Sequence, residues 1–349
     1  MTLPWVSVAD LADGVADGPV LDEDGQVAEP LLLVDLDGRT SPAVLERAAA
    51  RARGSERLLA GIATGAPPDA AYPLLAALDL SLSAAGDARE YATVSDPVAQ
   101  ATEVSRAVAA SPQASLVLGH VLRITGVLPV LAALDGESFA YSTLLGGREV
   151  GRWLGDRGAR PLPPPAQEPV IVRRDGARLL ITLNQPDRRN AYGRQLRDAL
   201  TDALWVAVSD PAITRVVLKG DGPCFCSGGD LDEFGTAPDL VTAHFVRTRA
   251  GAGRLIHDLG GRIEVRVHGP VIGAGVELAA FAGTVVADPG TTFRLPETSM
   301  GLIPGAGGTV SIPRRIGRWR TLYLALSGRA LDAATALAWG LVDRIAGLT

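Results

Sequence analysis

The hydrophobic and polar positions divide the chain into two halves of unequal clarity. In the second half, Val170–Arg173 and Leu179–Leu183 are β-branched or leucine-rich runs around an Asp-Gly turn, which predicts a hairpin. Leu196, Leu200, Leu204 and Val208 then recur at helical spacing and predict a helix over Tyr192–Val208. A strand over Arg215–Lys219 runs into the loop GDGPCFCSGGD, and a helix is predicted around His244–Leu259. A strand over Ile263–Val267, a helix over Val276–Ala282 opened by Gly273–Gly275, and a strand over Thr284–Ala287 complete the pattern. Repeated strand–helix–strand order predicts an α/β fold, with a parallel sheet under helical cover.

The first half is weaker in pattern. Leu31–Leu36 and Leu58–Ile62 read as strands with a helix, Pro42–Arg53, between them. From Asp96 to Gly158 the reading is helical, with apolar stripes at Ala101, Val104 and Val108 and at Val117, Val121 and Ile124. Ser111-Pro112 is a helix start. Residues Pro161 to Pro169, PLPPPAQEP, form a stiff connector, which separates units 1–160 and 170–349. The stretch GRTSPAVLERAAARARGSERLLAGIATG resembles GRQLRDALTDALWVAVSDPAITRVVLKGDG: each runs from a helix into a buried strand and ends at glycine. This is a candidate degenerate internal repeat; the alternative is that any two such units look alike.

Composition narrows the class. With 47% hydrophobic residues in 349, a sizeable core can form. A net charge of −6 gives no whole-chain basic signal for nucleic acid. Cys224 and Cys226 are too close for an ordinary disulfide, and His120, His244, His257 and His268 are scattered, so no metal site is expected. No apolar run approaches the roughly 18 residues of a membrane span. The opening MTLPWVSVADLADG carries acids where a signal peptide needs a basic region. The expectation is a soluble cytoplasmic protein with neither a nucleic-acid nor a membrane partner.

The chemistry concentrates between His268 and Arg315, where Glu277 and Glu297 lie twenty residues apart with a glycine-rich turn before the first and GLIPGAGGT after the second. Two carboxylates beside a backbone-lined pocket suit the addition or removal of water next to an activated carbonyl. Glycines in Phe225–Asp230 let backbone N–H groups turn toward a ligand. Gly273-Ala274-Gly275 opens a helix whose first N–H groups are free. Ser227 and Ala274 are thus candidate donors to one oxyanion, at roughly 3 kcal/mol each. The alternatives are a plain strand-to-helix turn, a Glu277 that caps its own helix, and a Glu297 exposed in its turn. A pocket holding both glutamates would raise at least one carboxyl, leaving one acid and one base.

FCSGGD, HGPVIGAGVELA, PETSMGLIPGAGGT, the following RRIG, and SGRALDAATALAWGLVD occur in an order that resembles the crotonase superfamily, the enoyl-CoA hydratase/isomerase family, over about Val170 to Ile345. The resemblance implies a spiral of two-strand-and-helix turns, assembly as a homo-oligomer built on trimers, and an acyl-CoA thioester as substrate. No cofactor beyond that coenzyme A is expected. It places the oxyanion-hole amides on Ser227 and Ala274 and the hydratase glutamates at Glu277 and Glu297. It also implies acyl-CoA contacts at Ala191, Cys226, Gly228 and Asp230 and, across the site, at Gly273 and Gly305. In LNQPDRRNA, Asp187 stands where the family often has a basic residue. Arg188 and Arg189 follow, either meeting coenzyme A phosphates or lying as solvated surface charge. Ala282-Gly283 replaces the family's usual Cys-Asp, which puts the substrate in question.

The resemblance also implies a helical tail beyond the GLVD segment. The Asp96–Gly158 stretch looks like such a tail, transposed into the first half. The first half then reads as an eroded, non-catalytic crotonase-like unit, with no FxxGxD or GxGxE pattern between Gly65 and Asp96, and the 170–349 core as one lacking its own tail. The transposed tail would pack over that core; an unrelated helical extension, lying far from Glu277 and Glu297, is the alternative. The function this implies is a 2-enoyl-CoA hydratase in fatty acid metabolism. The alternatives are an isomerase, dehydratase or hydrolase using the same oxyanion hole, and a non-catalytic accessory subunit.

Overall fold

The computed structural model describes residues 4–165 and 167–347. Met1–Leu3 of the acidic opening segment, Ala166 of the connector, and Leu348–Thr349 at the end of the 170–349 unit lie outside the described residues.

In the first half, β1 (Trp5–Ser7), α1 (Val8–Ala12), β2 (Leu31–Asp35), α2 (Pro42–Gly54), β3 (Leu58–Ala63), α3 (Tyr72–Ala77), β4 (Leu80–Ser83) and β5 (Ala92–Thr93) follow in turn. The strands form a five-stranded sheet in chain order, parallel throughout. Both faces are covered, as a parallel sheet requires. Leu32, Val34, Leu59 and Ala63 pack with Leu11, Leu45 and Leu74 of α1–α3. Leu31, Leu33, Leu58, Ile62 and Leu82 face the other way and join the core shared with the second half.

The Asp96–Gly158 stretch forms α4 (Pro97–Ala110), α5 (Pro112–Thr125), α6 (Val130–Leu145) and α7 (Arg148–Arg157). Ala101, Val104 and Val108 are buried as expected. The second stripe is corrected: Val121 is buried, but Ile124 is 53% exposed, and Ala114, Leu118 and Leu122 take the interior positions. The cause is close packing on β3, since a methyl at Gly119 of α5 would collide with Leu58. Glu149 of α7 accepts from Gln113 and Ala114 N–H at 2.8 and 3.0 Å, capping α5 in place of the Ser111 hydroxyl.

The second half holds β6 (Val170–Asp175), β7 (Arg178–Leu183), α8 (Arg194–Ser209), β8 (Arg215–Gly220), α9 (Leu240–Arg249), α10 (Ala252–Leu259), β9 (Ile263–Val267), β10 (Pro270–Ile272) and α11 (Ala274–Ala279). Next come β11 (Thr284–Ala287), β12 (Thr292–Arg294), α12 (Gly308–Ile316), α13 (Arg318–Ser327), β13 (Leu331–Asp332), α14 (Ala333–Trp339) and β14 (Arg344–Ile345). The large sheet runs β14-β11-β9-β8-β7-β6, antiparallel only at the β6–β7 hairpin, and a small sheet runs β10-β12-β13. Two turns, β9-β10-α11 and β11-β12-α12, each give one strand to each sheet and then a helix, and the chain winds as the crotonase-like spiral expected. The single helix expected around His244–Leu259 is instead α9 and α10. Gly251 sits so tightly against the carbonyl of Arg247 that a Cβ would approach it to 2.5 Å, and the chain turns there.

Helices α4–α7 lie on the second half. α5 and α6 pack on α12, α4 and α5 on α13, and α6 on α9. α7 packs on the 3-10 turn Glu297–Met300. Among the described residues, no helix is long and apolar enough to cross a membrane.

Candidate active site

The first wall of the site is the loop after β8. Asn190 is fully buried and ties this loop to the segment before α8: its side chain accepts from Gln185 N–H and donates to the carbonyls of Asp221 and Cys224, all at 2.9–3.0 Å. Arg189 and Asn190 are both left-handed, with φ of 52° and 53°. That turn aims the Arg189 carbonyl at the Ser227 N–H, which donates to it at 3.0 Å. This corrects the expectation for Ser227, whose amide is taken inside the protein. The next residues pair with Tyr192 by a parallel bridge: Tyr192 N–H donates to the Gly228 carbonyl at 2.7 Å and Asp230 N–H to the Tyr192 carbonyl at 3.4 Å. In such a bridge the amide of the middle residue, Gly229, points away from Tyr192. Among the described residues it has no acceptor.

The second wall is the start of α11. Gly273 (φ 47°) donates its N–H to the Arg294 carbonyl at 2.9 Å, and the Ala274 amide has no acceptor among the described residues. The two walls touch. Ile272 N–H donates to the Cys226 carbonyl at 3.1 Å, and a Cβ on Gly275 would stand 2.6 Å from that oxygen. Only glycine permits that approach.

Both expected glutamates are inside, at 2% exposure for Glu277 and 8% for Glu297. Glu277 does not cap its own helix. Its Oε2 accepts from the amides of Ala306 and Gly308 at 2.6 and 2.9 Å. Glu297 is not an exposed turn residue: its Oε1 lies against Gly273, and its buried Oε2 has no hydrogen-bond partner among the described residues. Burial, then the neighbouring carboxylates Glu297 and Glu137, hold the Glu277 carboxyl well above the usual range. Burial, with Glu137 adding to it, pushes Glu297 up to about 7.

The other expected contacts divide. Gly228 (φ 98°) lies against the Ile272 carbonyl, and Gly305 lies under the ring of Tyr141. Cys226 is buried, which pushes its thiol up to about 12. Ala191 is half-buried, its N–H spent on the Arg188 carbonyl at 3.1 Å. Arg188 and Asp230 face each other. The guanidinium is bound to Asp230 at 2.7 Å and to Asp232 at 3.0 Å, so the two side chains tie the loop together, and a third of the Arg188 side chain stays exposed. Arg189 has an exposed side chain with no ion pair among the described residues.

Helix α6 adds residues that the sequence reading missed. Glu137, 2% exposed, accepts from Gly307 N–H at 2.7 Å and from Thr309 N–H and hydroxyl, both at 2.8 Å. One turn on, Tyr141 lies against Gly305, with the Arg247 guanidinium 4.6 Å from its ring centre. Burial pushes Glu137 up to about 7, against the pull of the Thr309 and Gly307 hydrogen bonds. The available signal was an acid four residues before a tyrosine in a helix rich in Leu and Ala. A cavity of about 320 Å³ opens beside this cluster, between α4, α7 and the Pro296–Gly301 turn, but none of the three glutamates lines it.

The sequence matches the family described as enoyl-CoA hydratase/isomerase over residues 174–348. It is 34% identical over 180 residues to a probable enoyl-CoA hydratase of Mycobacterium tuberculosis, covering 51% of this chain and 68% of that protein. It is 34% identical over 176 residues to the 2,3-dehydroadipyl-CoA hydratase of Escherichia coli, covering 50% and 68%. Over 172 residues it is 34% identical to the 1,2-epoxyphenylacetyl-CoA isomerase of Escherichia coli, covering 48% and 65%. The crystal structure of enoyl-CoA hydratase from Thermoplasma volcanium aligns with a TM-score of 0.47 and 31% identity, over 51% of this chain and 71% of that one.

Proposed function

From the premise that the chain belongs to the enoyl-CoA hydratase/isomerase family, we propose that it is a 2-enoyl-CoA hydratase. The observation that carries this reading is the burial of two carboxyls at one helix start: Glu297 against Gly273, and Glu277 one turn further along α11. Two carboxyls sharing a dry site cannot both ionise easily, so the pair holds one proton near neutrality and offers one base and one acid.

In this reading the thioester oxygen sits between the amides of Gly229 and Ala274, Gly229 taking the place first expected of Ser227. Burial and its neighbours raise Glu277 and the two amides on its Oε2 oppose them; in the form of the pair whose proton is on Glu297, Glu277 takes the proton of a water as the water oxygen bonds to Cβ. The π electrons move onto the thioester oxygen as an enolate, held by the two amides. Glu297, with a free Oε2, then gives its proton to Cα. The proton on Glu277 returns to Glu297 before the next turnover. The first half is a non-catalytic unit whose helices α4–α7 cover the site.

The test follows the loss of enoyl absorbance with crotonyl-CoA and a longer 2-enoyl-CoA, for the parent chain and for Glu277→Gln and Glu297→Gln. Each variant is expected to lose about 10²–10⁴-fold in turnover. Positional isomers as product, with hydration absent, would assign the chain to isomerisation. Binding without turnover would make it an accessory subunit.

A further inference from the structure

Four consecutive amides, Ala306 to Thr309, alternate between two carboxylates drawn from opposite halves of the chain. Ala306 and Gly308 donate to Glu277, while Gly307 and Thr309 donate to Glu137. We propose that Glu137 is a positioning residue for the hydration reaction: it clamps the 306–309 segment and so fixes the orientation of Glu277. This rests on the hydratase reading above.

The segment needs an outside clamp. Its residues are Ala, Gly, Gly and Thr, and Gly307 is held at φ 103°. Such a stretch loses much conformational freedom on ordering and has almost no side chain of its own to fix it. It also leads into α12, where the first amides lack helical partners. Thr125 of α5 donates its hydroxyl to the Thr309 carbonyl at 2.7 Å and holds the far end of the segment; were Glu277 the only acceptor for the amides, the carboxylate and those amides would each depend on the other for position. Glu137 breaks that dependence because its own helix is held elsewhere. Ser138 on α6 bonds to His244 at 3.0 Å and to Arg247 at 3.1 Å, both on α9. The charged and titratable groups facing Glu137 are Glu277 on α11, Glu297 in its turn, Arg247 on α9, and Tyr141 on its own helix.

The test is Glu137→Gln in the full chain. Glutamine has one acceptor oxygen where two oxygens now serve three donors. Expected is a fall in kcat of about 10-fold or more with KM changed by less than about threefold. The acid limb of the kcat profile should also move to lower pH, because the Glu137 charge that raises Glu277 is gone. Amide hydrogen exchange should quicken at Ala306 and Gly308, not only at Gly307 and Thr309. Thr309→Val removes one donor alone and should move the same readouts less; it decides the matter if the glutamine variant does not fold. Unchanged kcat with a fixed acid limb, or exchange that quickens only at Gly307 and Thr309, overturns the proposal. Exchange is read without substrate, so a parent chain that hydrates nothing sinks the hydratase reading and leaves exchange to decide the clamp.

Discussion

The two halves build the same kind of sheet and finish it differently. Each lays parallel strands side by side in chain order. Each also carries carboxylates where strands end. In the first half, Asp35 ends β2 and Asp37 follows it, and both are exposed. Asp35 accepts from Asp37 N–H at 3.0 Å and Asp37 from Thr64 N–H at 2.8 Å, so they tie turns together in contact with water. In the second half, Glu277 follows one glycine-rich turn, Glu297 precedes another, and both are roofed by α6 and α7. A carboxylate in water keeps its ordinary chemistry, whereas one under a dry roof is pushed toward neutrality. The difference between these two pairs is therefore the cover, and the chain takes that cover from its first half.

The largest stability effect is expected where the halves are riveted together. Asp79, 1% exposed, accepts from Leu59 N–H of β3, from Arg123 of α5 at 2.6 and 2.7 Å, and faces Arg318 of α13 at 3.5 Å. Asp79→Ala leaves two largely covered guanidinium groups without their shared partner and should cost about 3–5 kcal/mol. Urea denaturation should still give one transition, because the shared core spans both halves. Two separate transitions would show that the halves fold as independent units and would break the comparison.

How much of this was legible in the sequence follows the range of the interactions. The β6–β7 hairpin, α8, β8, β9 and β11 were readable because periodicity and turn residues act over a few positions. Glu277 and Glu297 were readable because each sits beside its own glycine turn. The fate of the Ser227 amide was not, since it depends on two left-handed residues, Arg189 and Asn190, in a separate loop. Glu137 was not, because its partners lie 170 and 172 residues away. The break at Gly251 and the exposure of Ile124 depend likewise on what each helix packs against, which local spacing does not encode.

The pH dependence of stability sharpens the contrast next. Glu137 and Glu297 have an ordinary value of 4.5 and are pushed to about 7 in the fold. Between those values the folded chain holds more protons than the unfolded one, so stability is fullest below about pH 4.5 and falls as pH rises toward 7. The loss should reach up to about 3 kcal/mol for each carboxyl. Denaturation midpoints at intervals across that range measure it, and Glu137→Gln should flatten part of the slope. A flat profile in the parent chain would mean that the roof does not keep the site dry.

The smallest effect tests how that roof lies on the sheet. Helical spacing alone puts Val121 and Ile124 on one stripe, but α5 presents Leu118 and Leu122 to the core and leaves Ile124 53% exposed. Ile124→Thr should therefore change stability by less than about 0.5 kcal/mol. Leu118→Ala, in the same helix at 0% exposure, should cost about 2–5 kcal/mol. The difference between the two is the informative quantity, because helix propensity contributes only a few tenths of a kcal/mol at either position. Comparable losses at the two positions would mean that α5 is rotated on its axis. That rotation would lift Gly119 off Leu58, swing the amides that Glu149 caps, and carry α7 off the Glu297 turn. A near-silent Ile124 beside a costly Leu118 fixes the face of α5 on the sheet, and with it the height at which α6 and α7 close over the glutamates.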